Sequence, residues 1–483
     1  MHGLRGAAGA AVLCALTTLP LGARAVPLLA DGTTERVSLA GGSAQVAHGG
    51  ATSPAVSANG RWVAFVSADP ALAPDCPGKP AEVGAQVYLR DRATGRTTLV
   101  SATPRGCASG GGGGPGSPSV SADGRYVAYV SAARDIVPGF APKAPTLAVY
   151  VLDRARHRTV AVSAGYDGRP NDGDATAPSI SADGRYVAFE SDASNIVRDD
   201  RRPAGNGLRA VYVRDLATGR TQRVGPDVRA RGHDANTPSI SGNGRYVAFA
   251  STDSSLVPNA GYGDTGPVPT VRAATQQVYV ADRVTGRLQL ASMSAERHLG
   301  NDRSELAGTG RAISDDGRYV AFTSYATNLL PGDVPWGQYV DDQTPDVYLY
   351  DRVAGGLVRV SRGPGGQPAA DDSGEASVSG DGRWVGFVSG ATNLGDVDLT
   401  SPGDGLLVPL AGAYGYDVYV YDRVAGTNRL ESRSSDGVQG DLSSAEPVLS
   451  RDGSVVAFTS GATNLVGDDT NGESDVFAHV RHP

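Results

Sequence analysis

The chain has 483 residues, 40% hydrophobic and 19% charged, enough to bury a sizeable core. A formal net charge of -8 with no basic stripe argues against a nucleic-acid partner, because nothing would neutralise the phosphates. Gly and Pro together make about a fifth of the residues, too few for low-complexity disorder and suited to many short strands joined by turns.

Residues 1–25 read as a signal peptide. Arg5 supplies a weak positive charge, residues 7–21 are mostly apolar, and Ala23-Arg24-Ala25 gives a small-x-small cleavage pattern. Cys14 lies inside the apolar stretch with no small residue before it, so no lipid anchor is expected. No later stretch approaches the roughly 20 apolar residues of a membrane-spanning helix. Residues 26–483 are therefore expected to form a single domain that is secreted, in the periplasm, the cell envelope or the extracellular medium. That domain opens with Asp31-Gly32-Thr33-Thr34-Glu35-Arg36-Val37-Ser38, which looks like a turn and strand detached from a longer pattern.

The pattern begins at Ser53-Pro54-Ala55-Val56-Ser57-Ala58-Asn59-Gly60-Arg61-Trp62-Val63-Ala64-Phe65 and recurs from Ser117, Ala177, Thr237, Gly310, Glu375 and Glu446. Its turn glycines are Gly60, Gly124, Gly184, Gly244, Gly317, Gly382 and Gly453, spaced about 60 to 73 residues apart. Within a unit, Arg125 to Ser131 alternates large and small residues with period two, as a strand does. Asp123-Gly124 joins it to the short strand before it, the strongest local hairpin signal. A third element, Gln86-Val87-Tyr88-Leu89-Arg90-Asp91-Arg92, recurs in each unit and is followed by a turn and a fourth strand, here residues 97–101.

Four antiparallel strands repeated seven times predict an all-β, seven-bladed β-propeller. The seventh unit stops after a third strand, residues 475–480, and residues 33–40 match the missing fourth. The N-terminal strand is therefore expected to complete the last blade and close the ring.

Connection lengths make the two faces unequal. The first and third turns of each blade are short, whereas the second is long throughout, for example residues 68–85, 252–276 and 390–416. In an up-and-down blade the long connections share one face with the blade-to-blade links, and long loops on a rigid scaffold are where binding concentrates. Cys76 and Cys107 both fall on that face and are the only cysteines after the signal region, so a disulfide between them is expected. Gly110 to Gly114 lacks the Lys and helix of a phosphate loop and reads as a flexible link.

Asp91, Asp153, Asp215, Asp282, Asp351 and Asp422 recur once per blade and are read as fasteners rather than catalysts. Asn195, Asn328, Asn393 and Asn464 recur in the long connections and are assigned to Asx turns, bonding their own backbone. In the last unit, Asp468, Asp469, Asn471 and Asp475 cluster around Gly472, a set of hard oxygen ligands that suits calcium; Asx-turn chemistry is the competing reading. Asp333 with Asp341, Asp342 and Asp346, and Asp396 with Asp398 and Asp417, form related clusters. Calcium is the one cofactor these residues suggest.

The motif Pro-x-(Val/Ile)-Ser-x-Asp-Gly-Arg-Tyr-Val-Ala-Phe-x-Ser resembles the repeat of TolB-like propellers, also termed WD40-like or PD40 repeats. It runs through all seven units and departs most in the last, at Ser454-Val455. The resemblance implies the fold and a periplasmic or extracellular setting, and it leaves the partner open.

No catalytic residue stands out. There is no Gly-x-Ser-x-Gly elbow, no His-Glu-x-x-His, and no carboxylate pair distinct from the repeat. The expected function is a non-catalytic, monomeric binding or scaffold propeller that engages a protein or envelope component through its long-loop face. The alternative is a carbohydrate-active propeller with a carboxylate pair at the channel mouth.

Overall fold

The computed structural model describes residues 32–40, 44–46, 48–72, 84–110, 117–143, 145–199, 207–257, 275–308, 310–331, 344–395 and 415–481. Its strands, in chain order, are β1 (Gly32–Arg36), then β2 to β5 (Ala51–Val56, Trp62–Ser67, Gln86–Asp91, Arg96–Leu99) and β6 to β9 (Ser119–Val120, Tyr126–Ser131, Ala148–Asp153, Arg158–Ala161). Next come β10 to β13 (Ala175–Ile180, Tyr186–Ser191, Ala210–Asp215, Arg220–Arg223) and β14 to β17 (Ala235–Ile240, Tyr246–Ser251, Gln277–Asp282, Leu288–Leu290). The rest are β18 to β21 (Ser304–Glu305, Tyr319–Ser324, Asp346–Asp351, Gly356–Arg359), β22 to β25 (Ser373–Val378, Trp384–Ser389, Asp417–Asp422, Thr427–Leu430) and β26 to β28 (Ser444–Leu449, Val455–Ser460, Asp475–Arg481).

They form seven four-stranded sheets, six of them consecutive in sequence. The seventh has the order β1-β28-β27-β26, so the first strand of the chain completes the last blade. The chain is a seven-bladed propeller.

The closing strand pairs antiparallel with β28, from Gly32 opposite Arg481 to Arg36 opposite Phe477. The ladder ends earlier than the sequence pattern suggests. Val37 N–H still donates to Val476 O at 2.7 Å, but the chain then turns back through a Leu39–Gln45 bridge. Beside this closure lies a buried polar group absent from the other blades. Glu431 meets Arg481 at 2.8 Å, His479 at 3.4 Å and Arg433 at 3.9 Å. Thr34 Oγ1 donates to Arg433 O and contacts His479 Nδ1 at 2.7 Å, tying β1 to both neighbouring elements. Burial pushes the Glu431 carboxyl up, and Arg481, Arg433 and Arg429 oppose it.

The apolar side chains gather in seven clusters, each shared by two adjacent blades rather than held within one; Val63, Phe65 and Tyr88 of the first blade, for example, pack with Val448, Val455 and Val476 of the last. A single blade could not bury both of its faces, so cohesion belongs to the ring.

The turn glycines reinforce the same contacts. Each has φ between 69° and 75°. At Gly124, Gly184, Gly244, Gly317, Gly382 and Gly453 an added Cβ would strike the aromatic ring that begins the second strand of the preceding blade. Over five of these six rings an arginine of the following blade also lies, as Arg154 does over Trp62 at 3.5 Å and Arg352 over Tyr246 at 4.0 Å, whereas at Tyr126 that position is taken by Leu216. Backbone bonds then run around the hairpin end of the ring: Ala58 to Ala122, Ala122 to Ala182, Ala182 to Gly242, Asn243 to Asp315, Asp315 to Gly380, Asp381 to Arg451 and Arg451 back to Ala58.

A candidate site at the mouth of the axial channel

The innermost strands surround a cavity of about 40 Å³, lined by Ala55, Ser119, Val120, Ser179, Gly310 and Arg311 among others. Much of its polar lining is already engaged in holding the ring. Ser119 and Ser179 each accept an N–H from the next blade, those of Ile180 and Ile240, at 3.1 and 3.0 Å, and Ser239, outside the cavity, accepts that of Ala312 at 3.0 Å. The fifth blade narrows the channel further. Between Glu305 and Ala312 its inner strand makes a six-residue excursion where the last blade has a two-residue bulge. Near the hairpin end, Arg311 and Arg451 both pair with Asp315, the latter at 2.9 Å.

Toward the long-loop face the inner strands carry a different chemistry. Five inner strands carry a bulge whose first residue is left-handed without being glycine: Ser53, Ala177, Thr237, Glu375 and Glu446, with φ from 45° to 56°. A side chain at such a φ is strained, and the neighbouring blade compensates. Ser53 N–H donates to Glu446 Oε2 at 2.7 Å, Glu446 N–H to Glu375 Oε2 at 2.6 Å and Thr237 N–H to Glu190 Oε2 at 2.6 Å. Glu190 is buried and also accepts from Arg209 at 2.6 Å and Thr176 at 2.8 Å. Glu446 accepts in addition from Thr459 Oγ1 at 2.8 Å.

Glu375 and Glu446 therefore form an adjacent carboxylate pair that the repeat does not supply elsewhere. The repeat pattern by itself does not single out this pair. Two neighbouring units begin with Glu, and the left-handed bulge brings the Glu446 amide onto the Glu375 carboxylate while the Glu446 carboxylate reaches on to Ser53. Glu375 reaches water at the mouth. Even so, its desolvated surroundings, opposed by the Glu446 amide and reinforced by the Glu446 charge, hold its carboxyl above the ordinary glutamate range. Above it, Tyr416 donates to Asp372 Oδ2 at 3.2 Å, and burial together with Asp372 pushes its phenol up to about 12. Arg303 covers the Tyr325 ring at 4.1 Å.

The other singled-out residues are placed elsewhere. Asp91, Asp153, Asp215, Asp282, Asp351 and Asp422 end the third strands and each receives a forked bond from the arginine opening the second: Arg61, Arg125, Arg185, Arg245, Arg318 and Arg383. These arginines hold the carboxyls of Asp91 and Asp215 at about 2. The asparagines correct the Asx-turn assignment. Asn195, Asn328, Asn393 and Asn464 clamp the blade-to-blade link rather than their own backbone, donating to Pro170, Leu299, Pro368 and Gln439 carbonyls at 2.8 to 2.9 Å. Each also accepts an amide from that link. An amide side chain does this because it carries both a donor and an acceptor.

Of the acidic cluster in the last blade, Asp475 and Asp469 are buried around Arg36 of the closing strand, 3.5 and 3.4 Å away, and Asp468 lies outward at 3.5 Å. Asp475 also accepts from Ser38, and Asn471 donates to Val46 O at 3.0 Å. Among the described residues no group of three or more His, Cys, Asp or Glu is arranged to hold a metal ion. Asp346 and Asp417, which begin their strands as Asp475 does, accept from Ser361 and Ser432 at 2.6 Å. Asp333, Asp341, Asp342, Asp396 and Asp398 lie outside the described residues, as does Cys76. Cys107 sits in the link after the first blade, its carbonyl accepting from Thr103 at 2.8 Å.

No family model and no curated protein sequence matches the chain. Solved propellers do. Oligogalacturonate lyase from Vibrio parahaemolyticus is 14% identical, with 90% of each chain covered and a TM-score of 0.46. The β-propeller domain of the Trilobed protease from Pyrococcus furiosus is 10% identical over 89% of this chain and 95% of that one, with a TM-score of 0.46. TolB from Acinetobacter baumannii is 15% identical over 82% and 76%, with a TM-score of 0.38. TolB proteins are thus among the solved propellers that the chain is similar to. At these identities the likeness concerns the fold alone, and among the described residues no helix is long and apolar enough to cross a membrane.

Proposed function

We propose that the protein is a secreted or cell-envelope propeller that binds a protein or envelope component on its long-loop face without catalysis. The observation that supports this most is the state of the axial channel. Among the described residues the cavity between its inner strands is about 40 Å³, far below the roughly 300 Å³ at which small-molecule pockets begin, and serines lining it hold neighbouring blades together. The surface open to a partner is the mouth above it, where Glu375 is exposed. Removal of residues 1–25 on export, a Cys76–Cys107 disulfide and a monomeric state belong to the same reading. Mass spectrometry of unreduced protein with two alkylatable thiols would exclude the disulfide.

One observation favours a second reading, a carbohydrate-active enzyme. Glu375 and Glu446 are adjacent, at the mouth, and unmatched in the other blades, and Glu375 is biased toward its protonated form as a general acid would be. A pull-down from envelope and culture fractions with the intact protein as bait, run beside a glycan panel, separates the two. An enriched partner, no glycan turnover and equal behaviour of Glu375→Gln and wild type support binding. Turnover lost in both Glu375→Gln and Glu446→Gln, with no partner captured, overturns it.

A further inference from the structure

Away from the channel, a cleft of about 1170 Å³ opens on the outer rim where the last strands of the first two blades, β5 and β9, diverge. Its ionisable lining groups are Arg96, His157, Arg158 and Arg214, and among the described residues no acidic side chain lines it. In a chain of net charge -8 that is a local reversal of sign. Arg96 and Arg158 are exposed and, among the described residues, neither enters an ion pair, whereas the arginine opening each second strand from Arg61 to Arg383 is locked to an aspartate.

The cleft is polarised along the strands. Arg96 and Arg158 open β5 and β9 at the hairpin end, and Arg214 stands beside them. Leu72, Val137 and Phe140 come from the second connections at the opposite end, with Leu99 between. A four-residue strand spans about 13 Å, so a basic end and an apolar end are separated by the length of a medium alkyl chain. One backbone detail falls at the basic end. The turn before the fourth strand has a left-handed glycine in five blades, Gly95, Gly219, Gly286, Gly355 and Gly426, but His157 with φ 49° in the second. Strain retained at one of several equivalent positions points to a use for that side chain.

We propose that this cleft binds a single-chain anionic amphiphile, its acid head against Arg96, His157 and Arg158 and its alkyl chain along Leu99 toward Val137 and Phe140. A plain anion would leave the apolar end unused, and a neutral lipid would leave the arginines unpaired.

Isothermal titration of the intact protein with dodecanoate, below the concentration at which it aggregates, tests this. One molecule should bind per chain, and acetate and dodecanol should each bind at least tenfold more weakly. The Arg96→Gln/Arg158→Gln variant alters only exposed side chains and should keep the wild-type melting temperature while losing at least tenfold in dodecanoate affinity. His157→Gly should melt higher than wild type yet bind more weakly, a combination that a purely structural histidine would not give. Equal affinity of wild type and the double-arginine variant would overturn the assignment. So would acetate binding as tightly as dodecanoate, or binding of an acidic octapeptide or of phosphatidylglycerol vesicles with no dodecanoate binding.

Discussion

Gly317 and Gly286 share a backbone conformation, φ 75° and 73°, in neighbouring blades, and differ in what surrounds them. A Cβ on Gly286 would meet nothing within 4 Å, whereas one on Gly317 would lie 2.6 Å from Tyr246 Cγ and 2.9 Å from its Cβ. Tyr246 cannot swing aside, because its guanidinium neighbours Arg352 and Arg245 stand 4.0 and 5.1 Å from its ring. Substitution to alanine costs about 1 kcal/mol of left-handed strain at either position. At Gly317 overpacking adds about 1–3 kcal/mol. Unfolding entropy of about 2.1 cal/mol/K per residue gives a ring of this size roughly 1 °C per kcal/mol. Calorimetry should therefore find Gly286→Ala down by about 1 °C and Gly317→Ala by about 2–4 °C. A double-mutant cycle sharpens the test: with Tyr246→Ala in place, Gly317→Ala should cost no more than Gly286→Ala. Equal shifts for the two glycines, or no coupling to Tyr246, would refute the view that each blade is clamped on its neighbour's aromatic ring.

Three further outcomes are expected. Deleting residues 26–42 removes β1 and should lower the melting temperature sharply; an unchanged value would sink the closure by the N-terminal strand. Glu431→Gln leaves Arg481, Arg433 and His479 without their buried counter-charge and should cost about 3–5 kcal/mol by urea denaturation, so a loss under about 1 kcal/mol would mean that the cluster is hydrated. The aspartate fasteners have carboxyls depressed by their arginines, those of Asp91 and Asp215 to about 2, so their contribution is present above the unfolded value near 4 and is lost as pH falls toward 2. Their half-exposed arginines keep each contribution small. Asp91→Asn/Asp215→Asn should therefore flatten the acid limb of a stability-against-pH curve only modestly, and a variant whose acid limb is as steep as wild type would contradict this assignment.

The ring itself is written in local sequence. Asp-Gly and Asn-Gly pairs between alternating runs define hairpins without help from distant residues, and seven copies of one unit leave a propeller as the packing that buries both faces of every blade. The detached Thr33-Thr34-Glu35-Arg36 segment could be placed for the same reason: it matches the fourth strand that the last unit lacks. What tertiary structure decided are contacts across the blade-to-blade links and between units, where residues from about 25 to several hundred positions apart meet. The asparagine clamps and the Arg36 cluster needed the blade-to-blade links in place. The Glu375–Glu446 pair needed a left-handed bulge whose amide meets the glutamate of the preceding blade, and the basic cleft needed the angle at which outer strands diverge. Repetition identifies what all blades share because each copy obeys the same short-range rules. A site depends on how copies differ and where the ring brings those differences together, which is a long-range matter of closure and packing.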